Sequence, residues 1–136
     1  MHILSAFLRR VPAVLILLTI WVLSSLPNPH MPDLGFDFTD KVFHFIAFAA
    51  FSAAACLWIS NERWRKRPLQ AALAIICIAI LAGALDEFHQ TMVPNRVASL
   101  SDLAADTAGA LFGTLVMGML LAKKLHVSSQ KVKLAP

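Results

Sequence analysis

Residues 69–88 read LQAALAIICIAILAGALDEF, and no charged side chain occurs in this stretch before Asp86. A helix needs about 20 predominantly apolar residues to cross the hydrocarbon core of a bilayer. The stretch therefore predicts a membrane-spanning helix. Three other segments have a similar length and character, and they lie at about 8–26, 41–60 and 103–122.

The composition of the whole chain also indicates a membrane protein. Of its 136 residues, 58% are hydrophobic and 15% are charged, whereas a soluble domain carries roughly 25% charged residues. The two cysteines lie in apolar runs and provide neither a disulfide framework nor metal-ligand spacing. We expect an all-α membrane protein with four transmembrane helices in one domain, residues 1–122, and a basic cytoplasmic tail, residues 123–136.

The distribution of Lys and Arg predicts how the chain is oriented. Lys41 and Arg96 lie on one side of the predicted membrane with seven of the eight acidic residues, and the other ten basic residues lie opposite. Because cytoplasmic segments carry the excess of Lys and Arg, both termini are predicted to be cytoplasmic. This topology accounts for the net charge of +4 without a nucleic-acid partner. The ten residues are Arg9, Arg10, Arg63, Arg65, Lys66, Arg67, Lys123, Lys124, Lys131 and Lys133.

The first span has a second interpretation. Arg9 and Arg10 precede an apolar run, as the basic segment of a cleavable signal peptide does. No small-x-small cleavage site precedes Pro27. The sequence therefore favours a retained first helix.

Ionisable residues gather at the acidic side, at the ends of the last three spans. Charges inside membrane helices are costly and are usually functional. His44 and Asp106 lie one turn inside their spans and need partners, whereas Asp102 can equally be a helix N-cap. Three pairs have the i, i+4 spacing that shares a helix face: Asp40 with His44, Asp86 with Gln90, and Asp102 with Asp106.

Small residues on the last span predict close helix packing. Gly109 and Gly113 form a small-xxx-small motif, which allows two membrane helices to approach closely.

Taken in order, these motifs resemble the VanZ-like family of small bacterial membrane proteins, which is named for a member linked to teicoplanin resistance. One position departs from the family pattern, because Asp106 stands where the family usually has Asn. The motifs are D-K-x-x-H-x-x-x-F at 40–48, D-E-x-x-Q at 86–90, P-x-R at 94–96 and D-x-x-x-D-x-x-G-x-x-x-G at 102–113.

The resemblance implies a polar site at the outer face of the bacterial cytoplasmic membrane. It also implies partners such as membrane lipids, a lipid-linked cell-wall precursor or a glycopeptide, but it supplies no reaction. A homo-oligomer is compatible with the sequence.

A binding function is the first hypothesis for the site. Lys41 and Arg96 would hold the anionic headgroup of an amphiphile, with Arg96 offering a bidentate fork. Gln90 and the acids Asp40, Asp102 and Asp106 would meet its hydroxyl or amide groups.

An intramembrane enzyme is the second hypothesis. His44 would act as general acid or base, oriented by Asp40 or Glu87, while Lys41 and Arg96 stabilise negative charge. Ser99 and Ser101 are candidate nucleophiles by position alone. A metal variant would use His44, Glu87, Asp102 and Asp106, but no ligand spacing supports it, so we expect neither a metal nor another cofactor.

The third hypothesis is an ion-paired network that fixes the helix bundle and binds no ligand. It would pair Lys41 with Asp106 or Arg96 with Glu87.

Overall fold

The structure is a computed structural model that describes residues 2–27 and 38–133, with side chains described for 7–27 and 38–125. Within these ranges the chain is all helical and forms no strand. The elements are α1 (His2–Ser24), α2 (Thr39–Ala55), a 3-10 turn (Cys56–Trp58), α3 (Asn61–Lys66), α4 (Pro68–Gln90) and α5 (Leu100–Lys133).

Four helices of the described part are long and apolar enough to cross a membrane. The prediction of an all-α fold with four transmembrane helices is confirmed, and the chain is a multi-pass membrane protein. The spans are Phe7–Ser24, Thr39–Trp58, Pro68–Gln90 and Leu100–Leu125.

The last helix is longer than its predicted span. It continues to Lys133, so the backbone of most of the predicted tail is helical, and the division into a domain at 1–122 and a tail stays a prediction. Asp33 and Asp37 lie outside the described residues, as do the side chains of Lys131 and Lys133.

Local sequence signals explain where the helices begin. Pro68 is the first residue of α4, a position where its missing N–H removes no intrahelical bond. The Ser60 hydroxyl accepts from the backbone N–H of Arg63 at 3.3 Å and starts α3. The Ser99 hydroxyl accepts from the N–H of Asp102 at 3.3 Å and starts α5. Ser99 is therefore the N-cap, and Asp102 is not.

Helices α2 and α5 run parallel and make the most extensive contact of the bundle. A Cβ atom at Gly109 would collide with the carbonyl of Phe45, and one at Gly113 would collide with the carbonyl of Ala49. The two backbones touch because both positions lack a side chain. Helix α1 packs against α2, and α4 packs against α5.

We expect Gly113→Ala to destabilise the bundle, because its methyl group would force α2 away from α5. Overpacking of this kind costs about 1–3 kcal/mol, and the apparent melting temperature of the detergent-solubilised protein measures the loss. Gly118→Ala is the matched control, since its Cβ would lie 3.3 Å from the outer edge of the Trp64 ring. Equal melting temperatures for the two variants would contradict the close-packed interface.

Candidate functional site

Helix α2 begins, α4 ends and α5 begins at one end of the bundle, which we call the polar end. The candidate residues of all three helices lie there because α4 runs antiparallel to its two neighbours. The structure divides them into three hydrogen-bonded groups and an arginine that contacts α1.

Lys41 connects α2 to α5. Its Nζ lies 2.6 Å from Oδ2 of Asp40 and 2.7 Å from Oδ1 of Asp102. The hypothetical pair of Lys41 with Asp106 is therefore not the one that forms. Asp102 lies one turn nearer the start of α5 than Asp106, and this position brings it within reach of the Lys41 amine.

The partner of His44 is Asp106. Its Nδ1 lies 2.9 Å from Oδ1 of Asp106, and the two side chains are 11% and 0% exposed. The acid that hydrogen-bonds His44 is therefore Asp106 and not Asp40 or Glu87, the two that the enzyme hypothesis named. Gly83 provides the space for the acid, because a Cβ there would lie 2.9 Å from Oδ2 of Asp106.

Glu87 is only 6% exposed and connects α4 to the start of α5. Its Oε2 accepts the backbone N–H of Ser99 at 2.6 Å. No salt bridge joins Glu87 to Arg96 within the described residues, which differs from the pairing considered above. The Ser99 hydroxyl lies 2.6 Å from that of Ser101, so both candidate nucleophiles take part in hydrogen bonds at the start of α5.

A third polar group connects α4 to α1. Oδ2 of Asp86 accepts from the Ser24 hydroxyl at 2.7 Å and from Nε2 of Gln90 at 3.0 Å. Asp86 is 1% exposed. Ser24 was not predicted as a site residue from the sequence. The only sign of its role there is a hydroxyl group in the last turn of an apolar span.

Arg96 lies apart from the carboxylates and holds the end of α1. Its Nε donates to the carbonyl of Leu26 at 3.2 Å, and Nη2 donates to that of Leu23 at 3.3 Å. The Leu23 carbonyl also accepts the backbone N–H of Leu26 at 3.2 Å, and a cation at the end of a helix complements the helix dipole. The ring of Trp21 stacks on His89 at 4.9 Å and adds a contact to α4.

A groove of about 220 Å³ lies between α1 and α2 at this end. Its lining is mainly apolar, and its ionisable members are His44 and Arg96. The lining residues are Ile20, Leu23, Ser24, Phe43, His44, Ile46, Ala47, Phe48 and Arg96.

Three helices also supply a group of side chains that could hold a metal ion. His44, Glu87 and Asp106 each offer one ligand atom, and these atoms lie within 4.8 Å of one another. Asp102, the fourth ligand of the metal variant considered above, is not a member of this group.

Comparison with known proteins identifies the family. The sequence profile of the VanZ/LLP1 family matches residues 3–121. No curated protein and no solved structure shows significant similarity to this chain. Because the profile covers most of the chain, including the four spans and the polar end, this protein belongs to the VanZ/LLP1 family.

Proposed function

We propose that this protein binds an anionic amphiphile in the groove between α1 and α2. The observation that carries the proposal is the composition of the groove, in which apolar side chains lead to His44 and Arg96. An apolar chain would lie against Ile46 and Phe48, and the headgroup would meet the guanidinium. Nε and one N–H of Nη2 donate to carbonyls of α1, so a phosphate or carboxylate would meet Nη1 and the second N–H of Nη2, which also form a planar fork.

The size of the groove limits how much of the ligand it holds. Its volume of about 220 Å³ is smaller than the roughly 300–1,000 Å³ of pockets that enclose a drug-sized molecule. The groove therefore accepts the headgroup region and the first part of one chain. The remainder of the ligand stays among the surrounding lipids.

The charge distribution supports a site at the outer face of a bacterial cytoplasmic membrane. Arg9 and Lys124 line a pocket at the opposite end of the bundle, and α3 adds Arg63, Arg65 and Lys66 there. The positive-inside rule makes that end cytoplasmic, with both termini inside. The ligand would then be an outward-facing anionic lipid, a lipid-linked cell-wall precursor or a glycopeptide such as teicoplanin, whose binding would give a resistance role.

An enzymatic function is the second candidate, and one observation favours it. His44 lines the groove and also contacts the buried Asp106. A carboxylate that holds one imidazole nitrogen leaves the other available for proton transfer. Such a pair would act on the headgroup of a lipid-linked substrate.

We expect Arg96→Gln to reduce severalfold the amount of anionic lipid that copurifies with the protein, because the guanidinium would hold the headgroup. Quantitative mass spectrometry of the lipids retained by the purified protein measures this change. Arg65→Gln is the matched control, since Arg65 lies on α3 at the opposite end.

Because Arg96 also holds the end of α1, a second variant tests the groove directly. Ala47→Phe would fill the groove with a ring, whereas Ala50→Phe places the same ring on an exposed position of α2. Retention should fall only in Ala47→Phe. Equal retention in both variants would refute the groove as the binding site.

We expect a cysteine at position 97 to react from outside intact cells and a cysteine at position 65 to react only after the membrane is opened. Val97 and Arg65 are both exposed, in the segment after α4 and on α3. A membrane-impermeant maleimide measures the accessibility of Val97→Cys and Arg65→Cys against the wild type. The reverse pattern of labelling would overturn the proposed topology.

The enzyme hypothesis predicts that His44→Gln abolishes a change in the lipids of cells while binding persists. Lipid extracts of cells that express the wild type or His44→Gln show whether a species is consumed or formed. If lipid turnover does not depend on His44 and the amount of retained amphiphile does not depend on Arg96, the network at the polar end is structural.

A further inference from the structure

The buried acids of the polar end exceed the cations that contact them. Asp86, Glu87, Asp102 and Asp106 are all buried. Within the described residues, Asp102 pairs with Lys41 and Asp106 contacts His44, whereas Asp86 and Glu87 form no ion pair. An uncompensated carboxylate is costly in a membrane-spanning region. A further cation would offset this excess of acids, as would protonation of the carboxylates.

Three oxygens of these four acids are fully shielded and have no hydrogen-bond partner among the described residues: Oδ1 of Asp86, Oε1 of Glu87 and Oδ2 of Asp106. The last two belong to side chains that lie close to His44. The other oxygen of each carboxylate is occupied, by the N–H of Ser99 and by the ring of His44. Buried polar atoms in native proteins nearly always have a partner, so these two atoms indicate a bound group.

The geometry points to a divalent cation held by His44, Glu87 and Asp106. One ligand atom from each side chain lies within 4.8 Å of the other two. Nitrogen and oxygen ligands lie about 2.0–2.2 Å from Zn²⁺, which places them roughly 3–3.6 Å apart in a tetrahedral or octahedral site. The three side chains therefore need only a small convergence to reach a common ion.

The donor set selects the type of ion. Carboxylate oxygens suit Mg²⁺, Ca²⁺ and Mn²⁺, whereas an imidazole nitrogen favours transition metals and Zn²⁺. One imidazole with two carboxylates therefore matches Zn²⁺ or Mn²⁺ better than Mg²⁺. Because the three ligands come from α2, α4 and α5, the ion would also connect these helices.

The cation site also bears on the ligand of the groove. Three protein ligands leave a coordination position open on Zn²⁺, and His44 lines the groove as well. An anionic headgroup would approach the cation instead of a group of bare carboxylates. This last step rests on the proposed function, whereas the cation site itself does not.

Titration with Mn²⁺, followed by electron paramagnetic resonance, tests the site in purified protein from which metals have been removed with a chelator. We expect one saturable site per chain. Zn²⁺ should displace Mn²⁺ because it binds nitrogen and oxygen ligands more tightly, and Mg²⁺ at the same concentration should not. No amphiphile is added to this titration. The absence of Mn²⁺ binding would therefore contradict the cation site without bearing on the groove proposal, which the lipid-retention experiment tests.

We expect Glu87→Gln to weaken Mn²⁺ binding at least tenfold, since even the loss of a residue that only supports a ligand costs 10–100-fold. Glu62→Gln is the matched control, because Glu62 lies on α3 and pairs with Lys66. Asp106→Asn provides a second ligand variant of the same shape, should Glu87→Gln fail to fold, and should weaken binding similarly.

Two results would overturn the cation site. One is the absence of saturable Mn²⁺ binding by the folded wild type. The other is equal affinity in the wild type and in a folded ligand variant. Either result would mean that protons or hydrogen bonds, rather than a metal, stabilise these carboxylates.

Discussion

The contact between the backbones of α2 and α5 determines the arrangement of the polar end. Gly109 and Gly113 meet the carbonyls of Phe45 and Ala49, which fixes how far one helix is shifted along the other. With that register, Lys41 lies opposite Asp102, and His44 lies opposite Asp106. A bulkier pair of residues would separate the helices and move Lys41 and His44 away from their acids.

Much of the fold could be predicted from the sequence because a membrane imposes simple rules. Long apolar segments must be helices that satisfy their own backbone, and this identified the four spans. The i, i+4 spacing of Asp86 and Gln90 also predicted that their side chains share one helix face, and the two side chains are hydrogen-bonded. Both inferences depend only on contacts within one helix.

The partners of the ionisable side chains could not be predicted in the same way. Whether Lys41 meets Asp102 or Asp106 depends on the register of two helices 61 residues apart along the chain, and periodicity within each helix carries no information about it. The contacts of Ser24 with Asp86 and of Arg96 with Leu23 involve separations of 62 and 73 residues. Gly83 was overlooked because its role is to leave room for Asp106, which only the packed helices reveal.

The residues that contact the end of α1 come 62 and 70 positions later in the sequence. This order has a consequence for how the protein is assembled in the membrane. Helix α1 is synthesised before α4, yet the side chains that hold its last turn belong to α4 and to the segment that follows it, including Arg96. During translation α1 must therefore enter the lipid before its docking partners exist. The groove between α1 and α2 takes its final form only when residues beyond α4 have left the ribosome, so the ligand site is completed late in assembly.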